Sequence, residues 1–251
     1  MRILYLDIET APNKGYFWGL FGQNIAINQI EESGYTLCWA AKWEGESNIM
    51  FDSLWDSDTD MILKMYSLLE EADAVVHYNG RKFDIPVLNW EFCQLGLAPP
   101  DSYHQIDLYR TVKQNFKLPS YKLDYVSQAL GLGGKVQHKG MELWKGCMDN
   151  NTADYKIMQR YNMQDVRLLA RLYKRLLPWI KDHPNYSLYK DTSRPLCTNC
   201  GSHYVVKKGI ETTLTMQYQR YRCTKCGTPL RGRVNISPSE TKKNTLSRSK
   251  L

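Results

Sequence analysis

Asp7 and Glu9 close the apolar run LYLDIET, two residues apart. In a strand, residues i and i+2 share a face, so both carboxylates point the same way beside an apparently buried lead-in. Like charges near a core cost free energy unless something positive lies between them. Taken alone, the stretch reads equally as a strand running out into solvent. Asp84 opens a helix in YNGRKFDIPVL, where the positive end of the helix dipole is reason enough for an acid. Asp165 is the sharper case. In YNMQDVRLLARLYKRLL, positions 161, 165, 168, 169, 172 and 176 fall on one helical face that reads Tyr, Asp and four Leu. A carboxylate on an apolar stripe needs a buried Lys or Arg, or a metal. Oxygen-rich clusters suit Mg²⁺ or Mn²⁺. Two such ions about 4 Å apart can activate water on one side of a phosphodiester and neutralise the departing oxygen on the other.

The seven cysteines divide into three scattered ones, Cys38, Cys93 and Cys147, and two CxxC pairs, CTNC at 197–200 and CTKC at 223–226. The pairs lie 22 residues apart and each is followed by Gly. Four thiolates in two knuckles complete a tetrahedral Zn²⁺ site with no open position, so Cys197, Cys200, Cys223 and Cys226 are expected to hold one structural zinc. Strand-like HYVVKK and TLTMQYQRYRC lie between the pairs, and the module resembles a zinc ribbon.

Apolar patterning places strands at 2–8, 35–43, 47–51 and 74–78, and helices at 59–72, 84–95, 105–115, 121–130 and 153–177. Early strands followed mostly by helices predict an α/β domain, a mixed sheet covered by helices, over 1–180. A linker is expected over 181–195, the ribbon over 196–236, and a disordered basic tail over 237–251. The segment 14–34 holds Tyr16, Phe17, Trp18 and Phe21 and reads either as a cap over core surface or as a loop that stacks on bases.

Charge is unevenly spread. Residues 190–251 hold 13 Lys+Arg against 3 Asp+Glu, whereas residues 1–189 hold 20 against 23. Lys207, Lys208, Arg220, Arg222 and Lys225 surround the knuckles, joined by Arg231 and Arg233 and interleaved with Tyr204, Tyr218 and Tyr221. Cations for phosphates and aromatic faces for bases compose a single-strand-binding surface, with a protein-docking ribbon as the rival reading. There is no run of 18 apolar residues and no apolar leader, so a cytoplasmic protein with no membrane partner is expected.

The strings LDIET, NGRKFD and YNMQD resemble, in order, the DxE, Nx3FD and Yx3D motifs of the DEDDy 3′-to-5′ exonucleases of ribonuclease H-like fold. The layout is similar to the proofreading domain of family-B DNA polymerases and its stand-alone, YprB-like relatives, over about residues 1–178. The resemblance implies Asp7, Glu9 and Asp165 as ligands of a first Mg²⁺ or Mn²⁺, with Asp7 and Asp84 reaching a second. It implies Tyr161 as the residue that orients the attacking water, Asn79 as a contact to the substrate strand, and Phe83 as packing. Asp107 and Lys122 stay open between supporting roles and plain solvent exposure. The implied activity is removal of nucleoside monophosphates from single-stranded nucleic acid, DNA favoured over RNA, in replication or repair, with a separate polymerase or replication protein as a further partner. An exoribonuclease, a structure-selective nuclease, or a catalytically idle nucleic-acid-binding or assembly protein remain the alternatives.

Overall fold

The computed structural model describes residues 1–249, so the last two residues of the expected tail lie outside the described residues. The chain divides into two compact units, Met1–Tyr173 and Lys174–Leu251. In chain order the first unit contains β1 (Ile3–Thr10), β2 (Lys14–Gly15), β3 (Ile30–Glu32), β4 (Thr36–Trp43), β5 (Met50–Ser53), α1 (Asp58–Glu70), β6 (Ala74–His77) and α2 (Asp84–Gln94). It continues with β7 (His104–Asp107), α3 (Leu108–Asn115), α4 (Leu123–Ala129), α5 (Met141–Met148) and the long α6 (Thr152–Leu176).

Five strands form a sheet in the order β5-β4-β1-β6-β7, with β1 at its centre. β4 runs antiparallel to β1 and β5, whereas β6 and β7 run parallel to β1. Alternation along β1 sorts its two faces. Leu4, Leu6 and Ile8 pack with Met61, Met65 and Leu69 of α1 and with Ile85, Leu88 and Phe92 of α2. The opposite face turns Tyr5 onto Tyr173 of α6, and Leu37 and Cys38 of β4 pack with Leu143 of α5 and Tyr155, Met158 and Tyr161 of α6. Asp7 and Glu9 have the parity of Tyr5 and so face α6. The expected mixed sheet flanked by helices is the observed one.

Three elements depart from the sequence reading. The stretch expected as one helix over 105–115 begins as the parallel edge strand β7, which pairs Val76 with Ile106 and His77 with Asp107 before α3 starts. Helix α5 was not expected; it contains Gly146, whose missing Cβ would lie only 1.8 Å from Oδ2 of the buried Asp154. The segment 14–34 is no cap: the short β2–β3 arm leaves Trp18 98% and Phe21 92% exposed.

The second unit holds β8 (Val205–Thr212), β9 (Gln217–Cys223) and β10 (Pro229–Asn235) in an antiparallel sheet ordered β10-β9-β8, followed by the short α7 (Ser239–Asn244). Within 181–195, His183 is buried, residues Tyr186–Tyr189 form a 3₁₀ turn, and the Tyr186 amide donates to the Thr198 carbonyl at 2.8 Å. Asn199 donates to the Leu177 and Ile180 carbonyls at 2.8 and 3.0 Å, which ties residues just before the expected linker to the first knuckle. Among the described residues, no helix is long and apolar enough to cross a membrane.

Candidate active site

β1 carries Asp7 and Glu9 to the end of the sheet, and α6 delivers Asp165 against them. One carboxylate oxygen from each of the three lies within 4.8 Å of the others. Asp84 arrives from the other side of the sheet. The β1–β6 pairing ends at Tyr5, which leaves the Ile8 amide free, and Asp84 Oδ1 accepts it at 3.1 Å. The turn that sets Asp84 there is tightly specified. Asn79 takes a left-handed φ of 69°, and a Cβ on Gly80 would lie 2.6 Å from His77 Cγ and 2.9 Å from Asp84 Oδ2. Only glycine lets the NGRKFD turn close over His77.

Burial and mutual repulsion raise the pKa values of this cluster. Burial raises the Asp7 pKa most, followed by the charges of Asp165, Asp84 and Glu9. Glu9 is pushed up to about 8 by burial and then by Asp165, and Asp84 to about 6 by burial against the pull of the Ile8 amide. Asp165 is also raised by burial, with Lys135 opposing.

Lys135, which the sequence reading did not single out, supplies a half-buried cation where Asp165 was expected to need a buried one unless it bound metal. Its ammonium bonds Asp165 Oδ2 and donates to the Tyr161 hydroxyl at 2.8 Å. One ammonium does not neutralise the group, and Asp165 Oδ1 stays buried with no hydrogen-bond partner. Asn162 was missed as well: its amide donates to Asp7 Oδ2 at 2.7 Å and to the Asp7 carbonyl at 3.2 Å. The Tyr161 hydroxyl is held up near a pKa of 12 by burial and then by Asp165.

Asp7 and Asp165 open onto a cleft of about 620 Å³ lined also by Lys135, Asn79, Tyr78 and Lys122, among others. Lys122 thus faces the site. Asp107 is buried rather than solvent-facing: it caps α3 by accepting the Arg110 amide at 3.3 Å and also accepts the Asn79 amide at 3.0 Å. Phe83, expected as packing, is 44% exposed.

In the second unit, the sulfurs of Cys197, Cys200, Cys223 and Cys226 all lie within 4.8 Å of one another. The Cys197–Cys226 and Cys200–Cys223 separations are 3.5 and 3.6 Å. A tetrahedral Zn²⁺ with bonds of ~2.3 Å has edges of about 3.8 Å, so the donor set fits that ion. Burial opposes ionisation of Cys223, but the Cys226 and Lys225 amides outweigh it and bring its pKa down to about 7. The cations expected to bind nucleic acid are all exposed but do not share one face. Register puts Tyr218, Arg220, Arg222 and Arg231 on one side of the sheet, and Lys207 with Tyr221 on the other. Lys208 sits in the bulge of β8, and Lys225 lies in the second knuckle.

Comparison with known proteins agrees with this architecture. The DNA polymerase of Thermococcus aggregans is 24% identical over 204 residues, covering 71% of this chain and 11% of that protein. DNA polymerase 1 of Pyrococcus abyssi is 24% identical over the same share of this chain and 25% of its own length. The DNA polymerase of Pyrococcus glycovorans is 22% identical over 84% of this chain and 30% of its own. The chain thus spans less than a third of these relatives. Among solved structures, the family B DNA polymerase from Pyrobaculum calidifontis matches with a TM-score of 0.55 and 22% identity, over 70% of this chain and 24% of that one. The polymerase resemblance drawn from the three short motifs therefore holds across most of the first unit. Residues 4–177 match the family model described as the RNase_H superfamily, and the chain belongs to that superfamily.

Proposed function

We propose that the chain is a metal-dependent 3′-to-5′ exonuclease that releases nucleoside monophosphates from single-stranded nucleic acid, DNA in preference to RNA, in replication or repair. The observation that carries this reading is the convergence of Asp7, Glu9 and Asp165 on one point, with Asp7 and Asp165 lining an open cleft. The unpartnered, buried Asp165 Oδ1 and the excess of carboxylates over ammonium make the donor set fit a hard divalent cation. Asp7, Glu9 and Asp165 would hold one Mg²⁺ or Mn²⁺, and Asp7 with Asp84 the other. Bound there, the ions would supply activation of water and neutralisation of a departing oxygen.

The protein's own groups orient and hold. A phenol with a pKa near 12 is no base at neutral pH. Because the Tyr161 oxygen accepts from Lys135, its own O–H is left to donate to an oxygen in the cleft. Asn162 fixes the rotamer of Asp7. The 3′-to-5′ direction rests on the motif resemblance, and the preference for DNA on relatives that are DNA polymerases. A separate polymerase or replication protein is the natural partner for such an activity. The four cysteines would hold a structural Zn²⁺, with the Arg220 and Arg222 face of the ribbon as a strand grip.

The test is digestion of matched DNA and RNA oligonucleotides labelled at either end, with Mg²⁺ and with Mn²⁺. The expected result is a ladder retained on 5′-labelled DNA and immediate release of label from the 3′ end. Loss of label from the 5′ end first refutes the polarity, and intact strands in both metals refute the nuclease reading.

A further inference from the structure

Beside the carboxylate cleft lies a second one of about 430 Å³, lined by Asn79, Arg81, Lys82, Asp107, Tyr109, Arg110, Lys113 and Gln114. Its four cations come from two places. Arg81 and Lys82 follow Asn79 in the turn after β6, while Arg110 and Lys113, spaced i and i+3, share a face of α3. They are exposed, and among the described residues none of the four takes part in an ion pair. The one acid in the lining, Asp107, is buried and already accepts the Asn79 and Arg110 amides. Residues 1–189 carry more acid than base, so composition alone does not gather four unpaired cations in one depression. Four like charges gathered around a single carboxylate repel, and a polyanion relieves that repulsion.

Position names the ligand. Asn79 and Tyr109 line both clefts, so the two adjoin across a shared wall. Tyr109 packs edge-on to Tyr78 and Tyr121, with ring centroids 5.8 and 6.4 Å apart, which places an aromatic wall along the join. Lys113 Nζ lies 5.6 Å from the centre of the Tyr109 ring. Cations for phosphates beside aromatic faces for bases form a single-strand track. We propose that this cleft holds the phosphodiester backbone of a strand whose terminal linkage lies over Asp7 and Asp165, a grip built into the first unit and separate from the ribbon. The proposal rests on the nuclease reading for its substrate class.

The test is a salt titration of single-strand affinity, by fluorescence anisotropy on full-length protein with an oligo-dT of about ten nucleotides and no added divalent cation. Arg110→Gln with Lys113→Gln, and Arg81→Gln with Lys82→Gln, should each weaken binding about tenfold or more. Each pair should also make the log–log salt slope shallower, by about 0.7 for every phosphate that the variant no longer neutralises. Lys145→Gln with Lys156→Gln, whose side chains line neither cleft, should leave the slope unchanged. Wild-type slopes in both cleft variants overturn the proposal. Calorimetric titration with thymidine monophosphate separates a free nucleotide from a strand: mononucleotide binding abolished in the Arg110 and Lys113 variant, with strand slope intact, makes this a nucleotide pocket and overturns the strand reading. Because binding is read without hydrolysis, a wild-type protein that cuts nothing refutes the nuclease reading while the slopes still decide the cleft.

Discussion

Lys135 bonds Asp165 and Tyr161 but not Asp7, so the two aspartates should respond differently to neutralisation. Asp7→Asn and Asp165→Asn should both abolish hydrolysis. Without metal, however, Asp7→Asn relieves repulsion and should melt at or above the wild-type temperature, whereas Asp165→Asn strands a half-buried ammonium and should melt lower. Equal shifts in differential scanning fluorimetry would contradict the pairing. The same cluster sets a pH dependence. Glu9 ionises near 4.5 when unfolded and about 8 when folded, and Asp84 near 3.8 and about 6. The folded state holds the protons longer, so this stabilisation is full below the unfolded values and is lost as pH rises through the folded ones. The metal-free melting temperature should therefore fall between pH 5 and 8, and Mn²⁺ should restore it most at pH 8, where the ligands are ionised. A flat metal-free profile would contradict the raised values. The three motifs made the carboxylates and Tyr161 legible in the sequence. Lys135 was not, because the glycine-rich GLGGKVQHKG has no periodicity to betray the direction of its lysines. Asn162 was hidden beside Tyr161, since only the pairing of α6 with β1 turns it toward Asp7.

Long amphipathic elements were readable, and short ones were not. The stripe of α6 and the apolar run of β1 identify themselves by period, but β7 is a four-residue edge strand whose exposure shows little alternation, and α3 follows it without a break. Parallel pairing with β6, a long-range interaction, decides its state. Helix α5 was obscured by Gly140 and Gly146, residues that ordinarily argue against helix. Here Gly146 is required because Asp154, paired with Lys139 at 2.9 Å, fills the space of its side chain. Gly146→Ala should gain intrinsic helix propensity yet destabilise the protein by about 1–3 kcal/mol through overpacking, lowering the melting temperature by about 2–4 °C per kcal/mol. Restoration of stability by Asp154→Ala in the same chain would identify that clash as the cause. A raised melting temperature in Gly146→Ala alone would mean that helix propensity wins.

The two units rest on different foundations. The first has a sheet packed on both faces, whereas the described second unit has a strand-rich module with few buried side chains besides Cys197 and Cys223. On the proposed reading, a bound zinc would supply folding free energy that so small a core lacks. Cys197→Ser with Cys200→Ser should remove one equivalent of zinc, measured by metal analysis, and open residues 174–249 to protease. Unchanged protease resistance would mean that the ribbon folds without zinc. The first unit carries a different dependence. The hydrogen bond from Asn162 to Asp7 joins residues 155 positions apart, from the first strand and the last helix of the unit. Interactions of such long sequence separation form late in folding. Strand β1 leaves the ribosome before α6, and its acidic face has no opposing half until α6 has been translated. A nascent or prematurely terminated chain that stops short of Asp165 therefore lacks the third carboxylate of the cluster, and on the proposed reading the capacity to cut nucleic acid would be the last property the first unit acquires.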